Sequence, residues 1–294
     1  MAVYKRTYKA YAGQLTPSWS RFTVLARYGF STLFSSRIFT AYTVLCFTPF
    51  LVGLGFIYFV HSSTAQLAFG QHLSSIPLIN GRWFFGFLVS EAWMGLILTA
   101  WAAPGMISKD FANNAVQLYL SRPLSRVEYL VGKVTVLAVL LSFVTWIPML
   151  VLFFLQAELE GHGWLGENWW MAGSIVLAGL MWIALISLLS MALAVWVKWR
   201  IAASALMLAF FFVLPGFGEA FSAILRTPWG SLLNFNAVIL MIWAQLFRIP
   251  LSQRHFTRFG ELPSWSPWLS VFAVCAISLW LLHRRLKARE VERG

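Results

Sequence analysis

Few residues in this chain have the type and spacing needed for chemistry. The five histidines, His61, His72, His162, His255 and His283, are scattered at the ends of apolar runs and in loops. None is paired at a ligand spacing, so neither a metal nor a haem site is expected. Cys46 and Cys275 both lie inside apolar runs and give no disulfide framework. There is no His-Glu-x-x-His pair and no Gly-x-x-x-x-Gly-Lys-Ser/Thr loop. A chain without a nucleotide motif cannot draw on ATP by itself. One carboxylate stands out, because Glu91 lies well inside an apolar run, roughly 12 Å along a helix from Trp83 at about 1.5 Å per residue. A charge at bilayer centre costs about 2.5–3.5 kcal/mol on insertion scales. Such a group faces a cavity or a partner, which places Glu91 near a substrate path or a dimer seam. The alternative is a carboxyl hydrogen-bonded to a neighbouring helix for structure alone.

The other concentration of polar groups is the island at 108–133, between two long apolar runs. Ser108 sits where the preceding run stops, with Asp110 and Asn113 following within about one turn, which suits a helix start. Phe111, Ala115, Leu118 and Tyr119 share one helical face, and Asn113, Asn114 and Gln117 another. Pro123 pushes Arg122 towards an extended conformation and ends that helix. Ser125 has Glu128 three residues on, the capping-box pattern, just before the next apolar run. The prediction is a short amphipathic helix, a kink at Arg122-Pro123, and a capped helix that becomes a span. Two readings stay open: a helix resting on the lipid surface, or a docking element for a soluble partner.

For the second reading, three stretches matter. Ile107-Ser108-x-Asp110, then Leu118-x-Leu120-Ser121-Arg122-Pro123-Leu124-Ser125-Arg126, then Glu128-Tyr129-Leu130-x-Gly132-Lys133 together resemble the signature of type-2 ATP-binding-cassette (ABC) exporter permeases. In that family this segment lies between the second and third spans and holds the coupling helix that touches the ATPase subunit. The resemblance therefore implies ATPase-coupling roles for Asp110, Phe111, Asn114, Leu118, Tyr119, Arg122, Pro123, Arg126 and Glu128.

The elements that must carry these residues follow from composition. Hydrophobic residues make up 60% of the chain and charged residues 11%, against roughly 25% charged in soluble domains. The expected class is an all-α polytopic membrane protein with six transmembrane helices. The spans are predicted at 39–60, 83–107, 134–155 and 170–197, then from Ile201, where Pro215-Gly216 breaks the helix early, and finally at 268–283. Residues 1–38 form a tail and an N-terminal interfacial amphipathic helix. Its start is signalled by Thr16-Pro17, and Phe22, Leu25, Ala26, Gly29, Leu33 and Phe34 make its apolar face. Residues 39–283 form the six-span domain and 284–294 a basic tail.

The segment 219–267 is read as an extracytoplasmic loop holding re-entrant or interfacial helices between spans five and six. The alternative is a seventh span at 232–249, and charge argues against it. With six spans, all lysines and arginines except Arg82, Arg226, Arg248, Arg254 and Arg258 gather on one side with both termini. The positive-inside rule makes that side cytoplasmic. Trp83, Trp164, Trp169, Trp229, Trp265 and Trp268 are expected in the outer aromatic belt, and Trp196 and Trp199 in the inner one. A net charge of +12 is thereby explained by the membrane, with no nucleic-acid partner. Spans four and five are joined only by Lys198-Trp199-Arg200, whereas the whole island separates spans two and three. The halves are not copies, unlike inverted-repeat transporters.

The resulting expectation is a non-catalytic membrane subunit of an ATP-driven ABC transporter, working as an exporter in the bacterial cytoplasmic (inner) membrane. Its partners are cytoplasmic ABC ATPase subunits, which hold the ATP and magnesium, and a second permease copy or homologue. This chain itself is expected to hold no cofactor. Alternatives are a mechanical transmitter that acts on an extracytoplasmic protein through 219–267, or a passive membrane scaffold or sensor.

Overall fold

The computed structural model describes residues 20–62, 78–112, 125–197, 199–250 and 262–291. Every regular element among them is helical, and no strand is present. Six helical segments are long and apolar enough to cross a membrane: Arg37–His61, Gly81–Ser108, Val127–Glu160, Gly163–Trp196, Arg200–Leu225 and Ser266–Arg285. Large apolar side chains such as Ile38, Tyr58, Ile201 and Phe272 are more than two-thirds exposed, as expected where lipid rather than water is the neighbour. The arrangement is that of a polytopic membrane protein.

The first helix among the described residues is α1 (Arg21–Phe34), and α2 (Arg37–Leu45) and α3 (Thr48–His61) after it together make the first span. The predicted start of α1 at Thr16-Pro17 lies outside the described residues. Its expected faces are present in part: Leu25, Ala26, Gly29 and Leu33 are buried, Phe22 is half-buried, and Arg27, Ser31, Ser35 and Arg37 are exposed, but Phe34, placed on the apolar face, is exposed as well. The buried stripe packs on protein, for Val136 stands where a Cβ on Gly29 would go, and Phe22 and Leu25 do the same for Gly132.

Helix α4 (Gly81–Ala112) is the second span and α5 (Arg126–Val144) with α6 (Trp146–Glu160) the third. The fourth is α7 (His162–Trp196), the fifth α8 (Arg200–Phe212) with α9 (Leu214–Leu225), and the sixth lies in α11 (Ser266–Val291). Between the last two sit a 3-10 helix (Pro228–Leu233) and α10 (Phe235–Leu246). At 12 residues, α10 is too short to span roughly 30 Å of hydrocarbon, so there is no seventh span at 232–249. Phe235, Val238, Ile242 and Trp243 bury it in the bundle.

The first, third and fifth spans are each broken near the middle, a point the apolar runs at 39–60 and 134–155 concealed. Pro49, Pro148 and Pro215 stand just after the breaks at Cys46–Phe47, Thr145 and Val213. Proline has no N–H to give to the carbonyl four residues back and crowds it sterically. Two of the deserted carbonyls find side chains. Thr48 donates its hydroxyl to the Leu45 carbonyl at 2.7 Å, and Asn236 donates from α10 to the Phe211 carbonyl at 2.6 Å. The break expected at Pro215-Gly216 is present, but residues 219–225, read from the sequence as part of the outer loop, belong to the fifth span. It resumes as α9 and continues to Leu225.

Among the described residues, two that are not glycine adopt the left-handed conformation, Arg226 (φ 50°) after α9 and Arg248 (φ 53°) after α10. This is the position that a glycine often takes at a helix end. The guanidinium of Arg248 lies 4.4 Å from the Trp170 ring centre, which ties that turn to α7.

Candidate functional site: the polar junction of spans two and three

The polar island is flanked by two helix ends whose polar side chains join. At the start of α5, Ser125 Oγ accepts from the Glu128 N–H at 3.1 Å, and Glu128 Oε2 accepts from the Ser125 N–H at 2.6 Å. This is the capping box that the sequence predicted, and it uses the Glu128 carboxylate within the chain.

One turn further on, Tyr129 and Lys133 turn back towards the end of α4. Asp110 Oδ2 receives the Lys133 ammonium at 2.8 Å and the Tyr129 hydroxyl at 2.9 Å. Lys133 also donates to the Met106 carbonyl at 3.3 Å and lies 5.7 Å from the centre of the Tyr129 ring. The lysine side chain is 4% exposed and the aspartate 15%. Ions this enclosed lose much hydration, and the pair holds because the extra donors and acceptors satisfy both. Sequence reasoning counted Asp110 as a partner-facing charge and gave Tyr129 and Lys133 no role. Their spacing of one helical turn was the available signal.

The same end of the bundle is fastened elsewhere. Ser108 donates to the Ala194 carbonyl at 3.2 Å, near the end of α7, satisfying one of the acceptors that a helix terminus leaves open. Gly105 leaves room for the Arg200 guanidinium, whose carbon would lie 3.4 Å from a Cβ there. Arg285 stacks over Trp196 at 5.2 Å. The ends of spans two to six and α1 therefore meet at this end of the bundle.

Of the residues assigned to ATPase coupling, Asp110 and Glu128 are held as described. Phe111 lies in the last turn of α4 and Arg126 opens α5. Asn114, Leu118, Tyr119, Arg122 and Pro123 lie outside the described residues, as does the amphipathic helix expected there.

Glu91 is wholly buried within the chain's own bundle, and neither carboxylate oxygen has a hydrogen-bond partner among the described residues. It shares a face of α4 with Gly95, one turn on. A Cβ on Gly95 would lie 3.3 Å from Leu141, 3.7 Å from Thr145 and 3.8 Å from Trp182 Nε1. That face looks towards the break in the third span and towards α7. The Nε1 atoms of Trp146 and Trp182 are likewise buried without partners. A cavity of about 40 Å³ lies between α4, α7 and α10, with Trp93, Trp182, Asn236 and Trp243 among its walls. Glu91 does not line it. No cluster of potential metal ligands occurs among the described residues.

No protein-family model matches the chain, and no curated protein matches it in sequence.

Proposed function

We propose that this chain is the membrane-spanning subunit of an ATP-driven ABC exporter of the type-2 class. Two such subunits, or this one and a homologue, pair in the bacterial inner membrane and bind two cytoplasmic ATPase subunits carrying ATP and magnesium. Both termini and the island at 108–133 face the cytoplasm. A coupling helix between Asp110 and Leu120 takes the thrust of ATPase closure, and the capped start of α5 passes it into the membrane.

The observation that carries this reading is the Asp110–Lys133–Tyr129 junction. A handle transmits force only if its two stems are locked together, and the junction locks the end of α4 to the first turns of α5. Burial supports the pairing of subunits. In the first and fifth spans only 22% of the apolar window is enclosed, against 67% in the fourth. Those two spans have free faces for lipid and for a second copy.

The test is co-purification with an ATPase encoded beside this chain. Reversing Arg122 to Glu and deleting 113–117 is expected to release the ATPase while the membrane subunit still folds. An ATPase that stays bound and coupled would sink the proposal.

A further inference from the structure

At the end of the bundle away from the polar island, α3 and α6 finish side by side. His61 is the last residue of α3 and Glu160 the last of α6. His61 Nδ1 lies 2.9 Å from the Ile57 carbonyl oxygen and Nε2 lies 3.0 Å from Glu160 Oε2. Gln156, one turn back on α6 and 2% exposed, donates to the same carboxylate oxygen at 2.9 Å.

These three contacts constrain the proton count. A carbonyl oxygen and a carboxylate oxygen only accept, and a neutral imidazole has one N–H and one lone pair. Neutral His61 can therefore serve one of its two oxygens and must set a lone pair against the other. The imidazolium donates to both, and its bond to Glu160 is then charge-assisted. We propose that His61 and Glu160 form a proton-dependent clasp, which fastens the far ends of spans one and three while the pair holds its extra proton and slackens when that proton leaves.

Position gives the clasp leverage. Helices α3 and α6 are each the second half of a broken span, so the two halves it joins are both attached through hinges at Cys46–Phe47 and Thr145. The side chains of His61 and Glu160 are 17% and 47% exposed, so protons from solution reach them. On α3 and the elements packed against α3 and α6 at this end, the other ionisable groups whose side chains are described include Tyr58 on α3, Glu158 on α6, Arg82 in the first turn of α4 and Glu167 on α7. All four point outward. Glu160 is the carboxylate within ion-pairing distance of His61. The clasp faces the side opposite the polar island, so it would respond to acidity there, as imidazole switches do.

The experiment uses the full chain in lipid nanodiscs, without any ATPase, so its outcome is separate from the transporter reading. Spin labels on Tyr58→Cys and Leu159→Cys, both exposed positions, in a Cys275→Ser background report the distance between α3 and α6. From mildly acidic to mildly alkaline buffer, a single short distance is expected to become longer and broader. His61→Ala and Glu160→Gln are each expected to remove the pH response. An unchanged distance across that interval, or a response that persists in Glu160→Gln, overturns the proposal.

Discussion

The hydroxyl of Ser204 on α8 donates at 2.6 Å to the carbonyl of Ala100 on α4, the oxygen that Pro104 leaves without its helical partner. In hydrocarbon, where water is scarce, an orphaned carbonyl is expensive, and a side chain from a neighbouring helix is the usual remedy. Thr48 and Asn236 do the same for the oxygens deserted at Pro49 and Pro215. Proline and donor thus work in pairs, and the Ser204 pair also pins the fifth span to the second.

Removing this donor is expected to destabilise the fold. Ser204→Ala leaves a buried acceptor unpaired, a loss of about 1–3 kcal/mol, read as a lower thermal midpoint in detergent. Pro104→Ala restores the missing N–H, so adding Ser204→Ala to that background is expected to cost much less. Equal losses in both backgrounds would mean that the hydroxyl is not covering the deserted oxygen.

The Asp110–Lys133 pair predicts a second pattern of non-additivity. Asp110→Asn or Lys133→Met alone strands the opposite charge, at about 3–5 kcal/mol. The double replacement Asp110→Leu with Lys133→Met removes both charges and is expected to recover most of the thermal midpoint. Additive losses would contradict the enclosed pairing seen here.

Two glycines on α7 are expected to respond oppositely to alanine. A Cβ on Gly179 would lie 2.6 Å from Trp146 Cβ, while one on Gly173 would meet nothing within 4 Å. Gly179→Ala forces α6 and α7 apart and is expected to cost roughly 1–3 kcal/mol. Gly173→Ala relieves only helix propensity and is expected to stabilise by up to about 1 kcal/mol. Thermal midpoints of the two variants, measured side by side, decide it.

Glu91 sets stability against function. Replacing a buried, unpartnered carboxyl by an apolar side chain of similar length removes its desolvation cost, so Glu91→Met is expected to raise the thermal midpoint. If Glu91 serves the substrate path, the same variant loses substrate-stimulated ATP hydrolysis in the assembled complex. Full stimulation with raised stability would leave it a packing residue.

Where the sequence was informative, one physical rule dominated. Long apolar runs gave the six spans, and Ser125 with Glu128 gave the capping box, because both signals are local. The faces of α1 were legible for the same reason, although periodicity could not say that Leu25 and Gly29 pack on α5. What escaped was non-local or hidden in uniform hydrophobicity. Pro49 and Pro148 sit inside apolar runs that read as continuous, so the breaks were missed. Lys133 and Asp110 meet only because the end of α4 and the start of α5 lie side by side. His61 and Glu160 end two different spans and are far apart in sequence, so no spacing rule pairs them. The described residues hold Glu91 as expected inside a span, but its neighbours at Thr145 and Trp182 come from other helices.

One helix differs from its neighbours in a way that bears on any movement. The 35 residues of α7 contain no proline and run unbroken, and α4, α5, α6, α8, α10 and α11 all pack against it. It serves as a keel, whereas three other spans carry joints at mid-depth. A change of shape in this molecule is then a swing of jointed halves about a stiff axis, and a probe on α7 is the fixed point from which to measure it.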